Sequence, residues 1–167
     1  MILLPIFKYD SNVFDCLFDE SWSSGRKENS VISGLSHITL VVEDLNRSAQ
    51  MLLEVFGAEE VYSSGGKTFS IASEKFFLIG DVWICLMEGS PPKERTYNHI
   101  AFKIEESQLQ DYRKRIEAMG LEVEQGRSRV AGEGQSLYFY DFDNHLWELH
   151  TGTLEARLQR YGIKKNL

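Results

Sequence analysis

The sequence predicts an α+β fold built from two similar βαβββ modules. A predicted strand followed by a predicted helix occurs twice. Each copy has a histidine near the start of its strand and a glycine after its helix, and the copies run from His37 to Gly57 and from His99 to Gly120. Short apolar runs separated by turn residues follow each unit and predict the further strands. The 167 residues suffice for one domain with a substantial core, or for two small modules that pack together.

The composition narrows the class of protein. Hydrophobic residues make up 43% of the chain and charged residues 26%, which is ordinary for a globular protein. The net charge of −7 argues against nucleic-acid binding, which needs a basic face, but leaves room for a small anionic ligand. No apolar run is long enough to span a bilayer. Two cysteines make no disulfide framework, so we expect a reducing, cytoplasmic location.

The first module opens with a strand over residues 36–42, which are rich in β-branched side chains. Asp44 is placed to cap a helix from about Leu45 to Phe56, and Gly57 is placed to end it. Further strands are expected at 59–63, 68–72, 76–79 and 82–87, which is one more than the module needs. The predicted apolar face of the helix consists of Leu45, Ala49, Leu52, Leu53 and Phe56.

The second module repeats this order after a connector at residues 91–95. A strand is predicted over residues 98–104 and a helix from about Glu106 to Met119, closed by Gly120. The apolar stripe of this helix contains Leu109, Tyr112, Ile116 and Met119. The remaining strands are expected at 121–125, 136–140 and 145–150. Neither module should be stable unless a partner covers its sheet.

Three residues suggest a metal site. His37 and His99 hold equivalent places in the two modules, and alternation along the last strand puts Glu148 on the same face as His150. A carboxylate among large residues is costly to bury unless it is paired or binds a cation. Two imidazoles and one carboxylate form a ligand set with open coordination positions, which suits the polarisation of a substrate oxygen.

Spacing alone leaves other assignments open. The two strand histidines can be ordinary members of their strands, with Glu148 solvated. His145, beside the turn at 143–144, and His150, on the face of Glu148, compete for a ligand role.

Glu74 raises a separate question, because Glu74 and Lys75 lie where two apolar runs meet. At the tip of a hairpin, Glu74 would be an exposed polar residue. Directed inward, the same carboxylate would be a candidate for acid-base chemistry. Without further information the pattern favours the exposed tip.

Several motifs resemble the vicinal oxygen chelate superfamily, which includes glyoxalase I and the fosfomycin-resistance proteins. They are GLSHITL at 34–40, YNHIAF at 97–102 and LYFYDFDNHLWELH at 137–150. Within the superfamily the chain is most similar to the FosX-type epoxide hydrolases of the fosfomycin-resistance branch. The motifs that carry this closer resemblance are SSGGKTF at 63–69, EKFFLI at 74–79, WICLMEG at 83–89 and GTLEARL at 152–158.

The resemblance implies a fold and the approximate boundaries of the domain in the sequence. Paired βαβββ modules would form a cup around one metal ion, within a glyoxalase-like domain at about residues 31–161. The modules would lie at about 35–90 and 96–151, and residues 162–167 would be a C-terminal tail.

Residues 1–30 fall outside the resemblance, and we expect a non-conserved or poorly ordered extension. Arg26-Lys27-Glu28 can be encoded by a purine-rich string that resembles a bacterial ribosome-binding site, and Val31 by the alternative start codon GTG. One hypothesis is therefore a natural start near Val31. The other is an N-terminal arm that packs on the domain.

The resemblance also implies a homodimer with shared sites that bind Mn²⁺. His37 would come from one subunit, and His99 and Glu148 from the other. Sequence alone cannot choose this ion, because the ligand set also suits Fe²⁺, Zn²⁺, Co²⁺ or Ni²⁺. In the hydrolase branch the glutamate at the position of Glu74 is the general base that activates water. The thiol-transferase branches do not use a glutamate there.

The implied substrate is fosfomycin, a small phosphonate that carries an epoxide, and the implied reaction is hydration to a diol. Trp83 and Cys85 match wall positions of the pocket, and Arg127 or Arg129 can add positive charge. Thiol transfer to fosfomycin, drug binding without chemistry and ring cleavage by an iron dioxygenase are the alternatives. The residues that match phosphonate-pocket positions are Thr39, Tyr97, Ser136, Tyr138 and Arg157.

Overall fold

The structure, a computed structural model, describes residues 32–67, 69–126 and 132–163. The expected N-terminal extension, Arg127, Arg129 and residues 164–167 of the expected tail lie outside these ranges. The described residues from Leu35 onward belong to one compact unit. In the described part of the chain, no helix is long and apolar enough to cross a membrane.

Each half of this unit contains one βαβββ module, as the sequence predicts. Module 1 consists of β1 (His37–Val42), α1 (Leu45–Phe56), β2 (Glu59–Ser63), β3 (Glu74–Ile79) and β4 (Val82–Glu88). Module 2 consists of β5 (His99–Lys103), a 3₁₀ turn (Glu106–Gln108), α2 (Leu109–Ala118), β6 (Val123–Glu124), β7 (Ser136–Tyr140) and β8 (Leu146–His150), and is followed by α3 (Leu154–Arg160).

The two sheets have the same topology. The strand order is β1-β4-β3-β2 in module 1 and β5-β8-β7-β6 in module 2. In both sheets the first strand pairs in parallel with the last, and the other neighbours are antiparallel. The internal repeat in the sequence is therefore a repeat in three dimensions.

The extra strand expected at residues 68–72 is wrong. Residues 69–73 form bends and irregular backbone, and β3 begins at Glu74, two residues earlier than predicted. The exposed fractions of Phe69 and Ile71 are 83% and 92%, so these two side chains are not part of the core formed by the described residues. Apolar periodicity without a pairing partner does not make a strand, because an isolated strand leaves its backbone groups unpaired.

The predicted ends of α1 are confirmed. The Asp44 carboxylate accepts hydrogen bonds from the backbone N–H groups of Asn46 and Arg47 at 2.9 and 3.0 Å. Gly57 has a φ of 63° and donates its N–H to carbonyls of the last turn. Both caps are local, so the sequence can specify them without the rest of the fold.

One core lies against both sheets. Phe56 at the end of α1 packs on Trp147 of β8 at 4.9 Å and on Phe102 of β5 at 5.5 Å between ring centroids, and thereby joins the two modules. The predicted face of α1 is broader than expected, because Met51 and Val55 are fully buried. The strand residues of this core are Leu40, Val42, Phe77, Ile84, Leu86, Leu137, Phe139, Trp147 and Leu149.

A buried carboxylate organises the turn between β7 and β8. The Asp141 side chain accepts hydrogen bonds from the N–H groups of Asp143 and His145, from the His145 ring at 2.9 Å and from Trp147 Nε1 at 3.0 Å. Asp143 in turn accepts from the Ser48 hydroxyl on α1 at 3.0 Å. This network fixes the start of β8 relative to the first module.

Candidate active site

The strand register shows which side chains lie on the face of each sheet that points away from the core. Side chains of directly paired residues project from the same side of a sheet. In module 1 the pairs place polar and aromatic side chains together on this face, and they are His37, Thr39, Glu74, Phe76, Trp83 and Cys85. Four predicted site residues therefore lie on one surface.

Module 2 presents the equivalent face, which carries His99, Ser136, Tyr138, Glu148 and His150. Four more predicted site residues are among them. The fifth residue on this face is His150, which the spacing left open as a competing ligand. These two faces carry polar side chains, whereas the sides of the sheets that pack on the core are apolar.

His99 and Glu148 form the closest pair on this face. His99 Nε2 lies 3.0 Å from Glu148 Oε2. The other ring nitrogen, Nδ1, lies 2.8 Å from the carbonyl oxygen of Tyr97, which can only accept a hydrogen bond. Nδ1 of the neutral ring therefore carries the hydrogen, and Nε2 presents its lone pair to the carboxylate. Two acceptors that face each other fit a cation between them, as at a metal site.

The surroundings of Glu148 favour its charged form. Burial by itself would raise the pKa of Glu148, but the hydroxyls of Ser136 and Tyr138, with smaller contributions from His150 and His99, outweigh burial and lower the pKa. Ser136 Oγ donates to Glu148 Oε1 at 2.5 Å. A carboxylate that stays ionised while buried is suited to bind a divalent cation.

Tyrosines surround this pair. The Tyr97 and Tyr138 rings lie 5.2 and 5.7 Å from the His99 ring, centroid to centroid. Burial and then the hydrogen bond to Glu148 raise the pKa of Tyr138, so its hydroxyl keeps its proton at neutral pH. Tyr97, Tyr138 and Tyr140 line an open cavity of about 390 Å³. The cavity therefore offers hydroxyl donors beside the predicted ligands.

Glu74 is not an exposed hairpin tip. It is the first residue of β3, and only 7% of it is exposed. Its backbone N–H donates to Ser64 Oγ at 3.1 Å, and its carbonyl accepts from the Ser64 N–H at 3.0 Å. The side chain accepts a long hydrogen bond from Cys85 Sγ at 3.8 Å. The inward interpretation of Glu74 is the one that the structure supports.

Cys85 lies between Thr39 and Glu74 on the face of module 1. Burial, together with the neighbouring charge of Glu74, raises the pKa of the thiol, and a hydrogen bond with Thr39 only partly opposes this. The thiol therefore stays protonated and can donate to the carboxylate. Sequence analysis assigned no chemical role to Cys85, and only the pairing of β3 with β4 brings the thiol to Glu74.

His37 lies apart from the pair in module 2. The residue is exposed, its Nδ1 lies 3.1 Å from Ser36 Oγ, and its ring packs on Trp83 at 4.5 Å. Among the described residues of a single chain, no three His, Cys, Asp or Glu side chains are grouped to hold a metal ion. One chain thus brings two predicted ligands together but not the third, and the shared site stays a prediction.

Two aromatic side chains on the face of module 1 carry buried polar atoms. Trp83 Nε1 and Tyr62 Oη have no hydrogen-bond partner among the described residues. Tyr62 pairs with Phe76 and so lies on the same face as Glu74. Both groups are donors that a ligand or water can use. Tyr62 was missed in the sequence, where its strand resembles any exposed edge strand.

Arg157 is the predicted phosphonate residue that lies on neither face. It is a half-buried residue of α3, which begins after the Thr153 cap and directly follows β8. The role of Arg157 at the substrate stays a prediction.

Comparison with known proteins assigns the family. The family model of the Glyoxalase/Bleomycin resistance protein/Dioxygenase superfamily matches residues 34–149. The fosfomycin resistance protein FosX of Listeria innocua is 61% identical over 131 residues, which are 78% of this chain and 98% of that protein. The metallothiol transferase FosB of Shouchella clausii is 38% identical over 137 residues, which are 78% of this chain and 88% of that protein.

A solved structure agrees with this assignment. It is a glutamate-to-glutamine variant of FosX from Listeria monocytogenes, complexed with Mn(II) and 1S,2S-dihydroxypropylphosphonic acid. It superposes with a TM-score of 0.72 at 59% identity and covers 78% of this chain and 98% of that chain. The chain described here therefore belongs to the glyoxalase/bleomycin resistance/dioxygenase superfamily and, within it, to the FosX family of fosfomycin resistance proteins.

Proposed function

We propose that this protein hydrates the epoxide of fosfomycin to a diol in a metal-dependent reaction and thereby confers resistance to the drug. The observation that carries the proposal is the buried Glu74 carboxylate, which faces the same side of its sheet as His37 in a chain of the FosX family. A related FosX binds a dihydroxypropylphosphonic acid, which is the kind of product that water gives on opening a propylphosphonate epoxide.

His99 and Glu148 would hold the metal, and the donor set fits one. The imidazole lone pair and the ionised carboxylate oxygen lie 3.0 Å apart, and each is fixed from behind by a hydrogen bond. Mn²⁺ is the ion we propose, because related FosX structures contain Mn(II). A divalent cation supplies Lewis-acid polarisation of the substrate oxygens.

Glu74 acts as the general base. It accepts a proton from water while the water oxygen forms a bond to the ring carbon and the carbon–oxygen bond of the epoxide breaks. The released ring oxygen then takes a proton from solvent water, Glu74 returns its proton to solvent, and the product is a vicinal diol. Such base catalysis typically accelerates a reaction by about 10²–10⁴-fold. Cys85 and Ser64 hold the carboxylate and the backbone of Glu74 in place.

The phosphonate needs hydrogen-bond donors that leave its orientation fixed. Trp83 forms a wall of the pocket and offers its indole N–H. Arg157 supplies a planar fork of donors that matches two phosphonate oxygens. The hydroxyl donors that we assign to the substrate are those of Thr39 and Tyr97. The Ser136 and Tyr138 hydroxyls lie beside them in the proposed pocket but donate their hydrogens to Glu148.

The third ligand comes from a second copy of the chain. His37 is exposed and separate from the ligand pair in its own chain, so a homodimer that brings it to His99 and Glu148 of the other copy completes the site. The exposed side chains of Phe69 and Ile71 provide apolar surface for such an interface.

The test is a reaction without thiol. Purified protein is incubated with Mn²⁺ and fosfomycin, and phosphorus NMR follows the phosphonate. Formation of the diol that stops on addition of a chelator is the expected result. Turnover that requires glutathione or another thiol would instead make the protein a thiol transferase like FosB, and tight binding of fosfomycin without turnover would make it a drug-binding protein.

A further inference from the structure

His150 is the start of a chain of hydrogen bonds that ends at Glu148. His150 Nδ1 lies 2.8 Å from Ser136 Oγ and 3.1 Å from the carbonyl oxygen of Gln135. Ser136 Oγ lies 2.5 Å from Glu148 Oε1. The three side chains lie on one face of the paired strands β7 and β8.

The partners fix the direction of these bonds. The Gln135 carbonyl can only accept, so Nδ1 of His150 carries a hydrogen. The ionised Glu148 carboxylate can also only accept, so the single hydroxyl hydrogen of Ser136 points to Glu148. Ser136 Oγ is then left to accept from His150. The Nδ1 hydrogen of His150 is thus shared between Ser136 Oγ and the Gln135 carbonyl. Nδ1 lies 3.6 Å from Glu148 Oε1, too far for a direct hydrogen bond, so Ser136 is the link between the two side chains.

The chain acts together with the Tyr138 hydroxyl, which also bonds Glu148, to set which carboxylate oxygen faces the proposed metal. A glutamate side chain turns about its last carbon–carbon bond, and a hydrogen bond to one oxygen stops this rotation. Ser136 holds Oε1, and the other oxygen, Oε2, faces His99 Nε2 at 3.0 Å. His99 is fixed in the same manner, by its Nδ1 bond to the Tyr97 carbonyl.

The position of His150 is itself closely defined. The Gln135 carbonyl accepts from the Thr151 N–H at 3.0 Å, so this acceptor is fixed by the strand pairing. A Cβ atom on Gly152 would lie 2.5 Å from His150 Nε2, so glycine leaves the room that the ring occupies. Only 16% of the His150 side chain is exposed. The ring has little freedom to turn away from Ser136.

We propose that His150 is a positioning residue that orients the metal ligand Glu148 through Ser136. This inference rests on the proposed function, because it takes Glu148 as a ligand. It gives Ser136, which the resemblance matches to a phosphonate-pocket position, the task of holding Glu148. Groups that orient a ligand from behind typically contribute about 10–100-fold to metal affinity.

The test measures Mn²⁺ affinity, without substrate, from the electron paramagnetic resonance signal of the free ion. His150→Leu keeps the bulk of the ring and removes its donor, so Mn²⁺ affinity should fall by about 10–100-fold. His150→Asn places an amide nitrogen where Nδ1 lies, and affinity should return towards the wild-type value. Equal loss in the two variants, or none in His150→Leu, would overturn the proposal.

Ser136→Ala supplies an independent measurement, which also decides the matter if His150→Leu does not fold. It should weaken Mn²⁺ binding, and the double variant His150→Asn/Ser136→Ala should bind no better than Ser136→Ala alone, because the donor then has no relay. The relay is refuted if the double variant binds Mn²⁺ more tightly than Ser136→Ala alone. It is also refuted if Ser136→Ala keeps the wild-type affinity for Mn²⁺.

Two controls separate this proposal from the proposed function. His145→Leu removes a neighbouring histidine that bonds to Asp141, and Mn²⁺ affinity should be unchanged. Glu148→Gln should abolish strong Mn²⁺ binding. If Glu148→Gln binds Mn²⁺ like the wild type, the proposed metal site is wrong. If Glu148→Gln loses Mn²⁺ while His150→Leu retains it, only the positioning role is wrong.

Discussion

Cys85 and Glu148 occupy the same position in the two modules. Cys85 on β4 pairs with Thr39 of β1, two residues after His37, and Glu148 on β8 pairs with Ala101 of β5, two residues after His99. The strand order of the two sheets is identical. A thiol in module 1 therefore stands where module 2 has a carboxylate.

The hydrogen bonds that these two residues form with equivalent neighbours run in opposite directions. Glu148 accepts from Ser136, the first residue of β7, whereas Cys85 donates to Glu74, the first residue of β3. Donor and acceptor have changed places between equivalent positions. The repeat thus yields a carboxylate suited to bind metal in one module and a carboxylate suited to act as a base in the other.

Glu74→Gln should nearly abolish hydration of fosfomycin. The amide cannot accept the proton from water, so the rate should fall by about 10²–10⁴-fold. Mn²⁺ affinity should stay close to that of the wild type, because Glu74 is not a proposed ligand. Phosphorus NMR measures the rate, and titration with Mn²⁺ measures the affinity.

The matched control is Glu59→Gln, which alters an exposed glutamate on β2 of the same sheet. It should hydrate fosfomycin at the wild-type rate. Wild-type activity in Glu74→Gln itself would remove this residue from the mechanism.

Two inactive variants should restore activity when they are combined. In the proposed homodimer, His37→Ala and His99→Ala would each damage every site of their own dimer. A mixed dimer contains one intact site, with His37 from one copy and His99 from the other. If copies pair at random, co-expression should yield about a quarter of the wild-type activity. No recovery in isolated mixed dimers, prepared with two different affinity tags, would mean that the sites are not shared.

The stability of the protein should fall at alkaline pH, in part because of Cys85. Burial and the charge of Glu74 raise the pKa of this thiol in the folded state. Below about pH 8.5 the thiol is protonated in both states, so its contribution to stability is fully present. Above that pH the unfolded chain releases the proton first, and the free energy of unfolding decreases as the pH rises through the folded pKa.

Cys85→Ser tests this pH dependence, because a serine hydroxyl does not titrate in this range. Urea unfolding between about pH 8 and pH 9, where tyrosines of the unfolded chain are still mostly protonated, should give a flatter profile for the variant than for the wild type. If the free energy of unfolding falls equally steeply with pH in both proteins, Cys85 does not govern the loss of stability at alkaline pH.

Asp141→Ala should destabilise the fold severely. The change leaves Trp147 Nε1, the His145 ring and two backbone N–H groups without their acceptor inside the protein. A buried donor left without its acceptor typically costs about 1–3 kcal/mol in the free energy of unfolding, and urea unfolding measures the loss. Asp81→Ala, at an exposed turn between β3 and β4, is the control and should lose little.

Local signals in the sequence account for what was predicted correctly. The ends of α1 follow from Asp44 and Gly57, whose capping interactions involve only nearby residues. The repeat follows from two similar patterns of strand and helix. The strand at 68–72 was wrong because its apolar run has no pairing partner, and no local signal reports whether a partner exists.

By itself, the sequence determined which side chains alternate along each strand, and so placed His99 on a predicted strand and Glu148 on the face of His150. Only the tertiary structure decided which of these groups meet. The pairing of β3 with β4 buries Glu74 beside Cys85, and the pairing of β7 with β8 brings Ser136 to Glu148. The physical reason is that alternation is a local property of a strand, whereas register is set between segments distant in the chain.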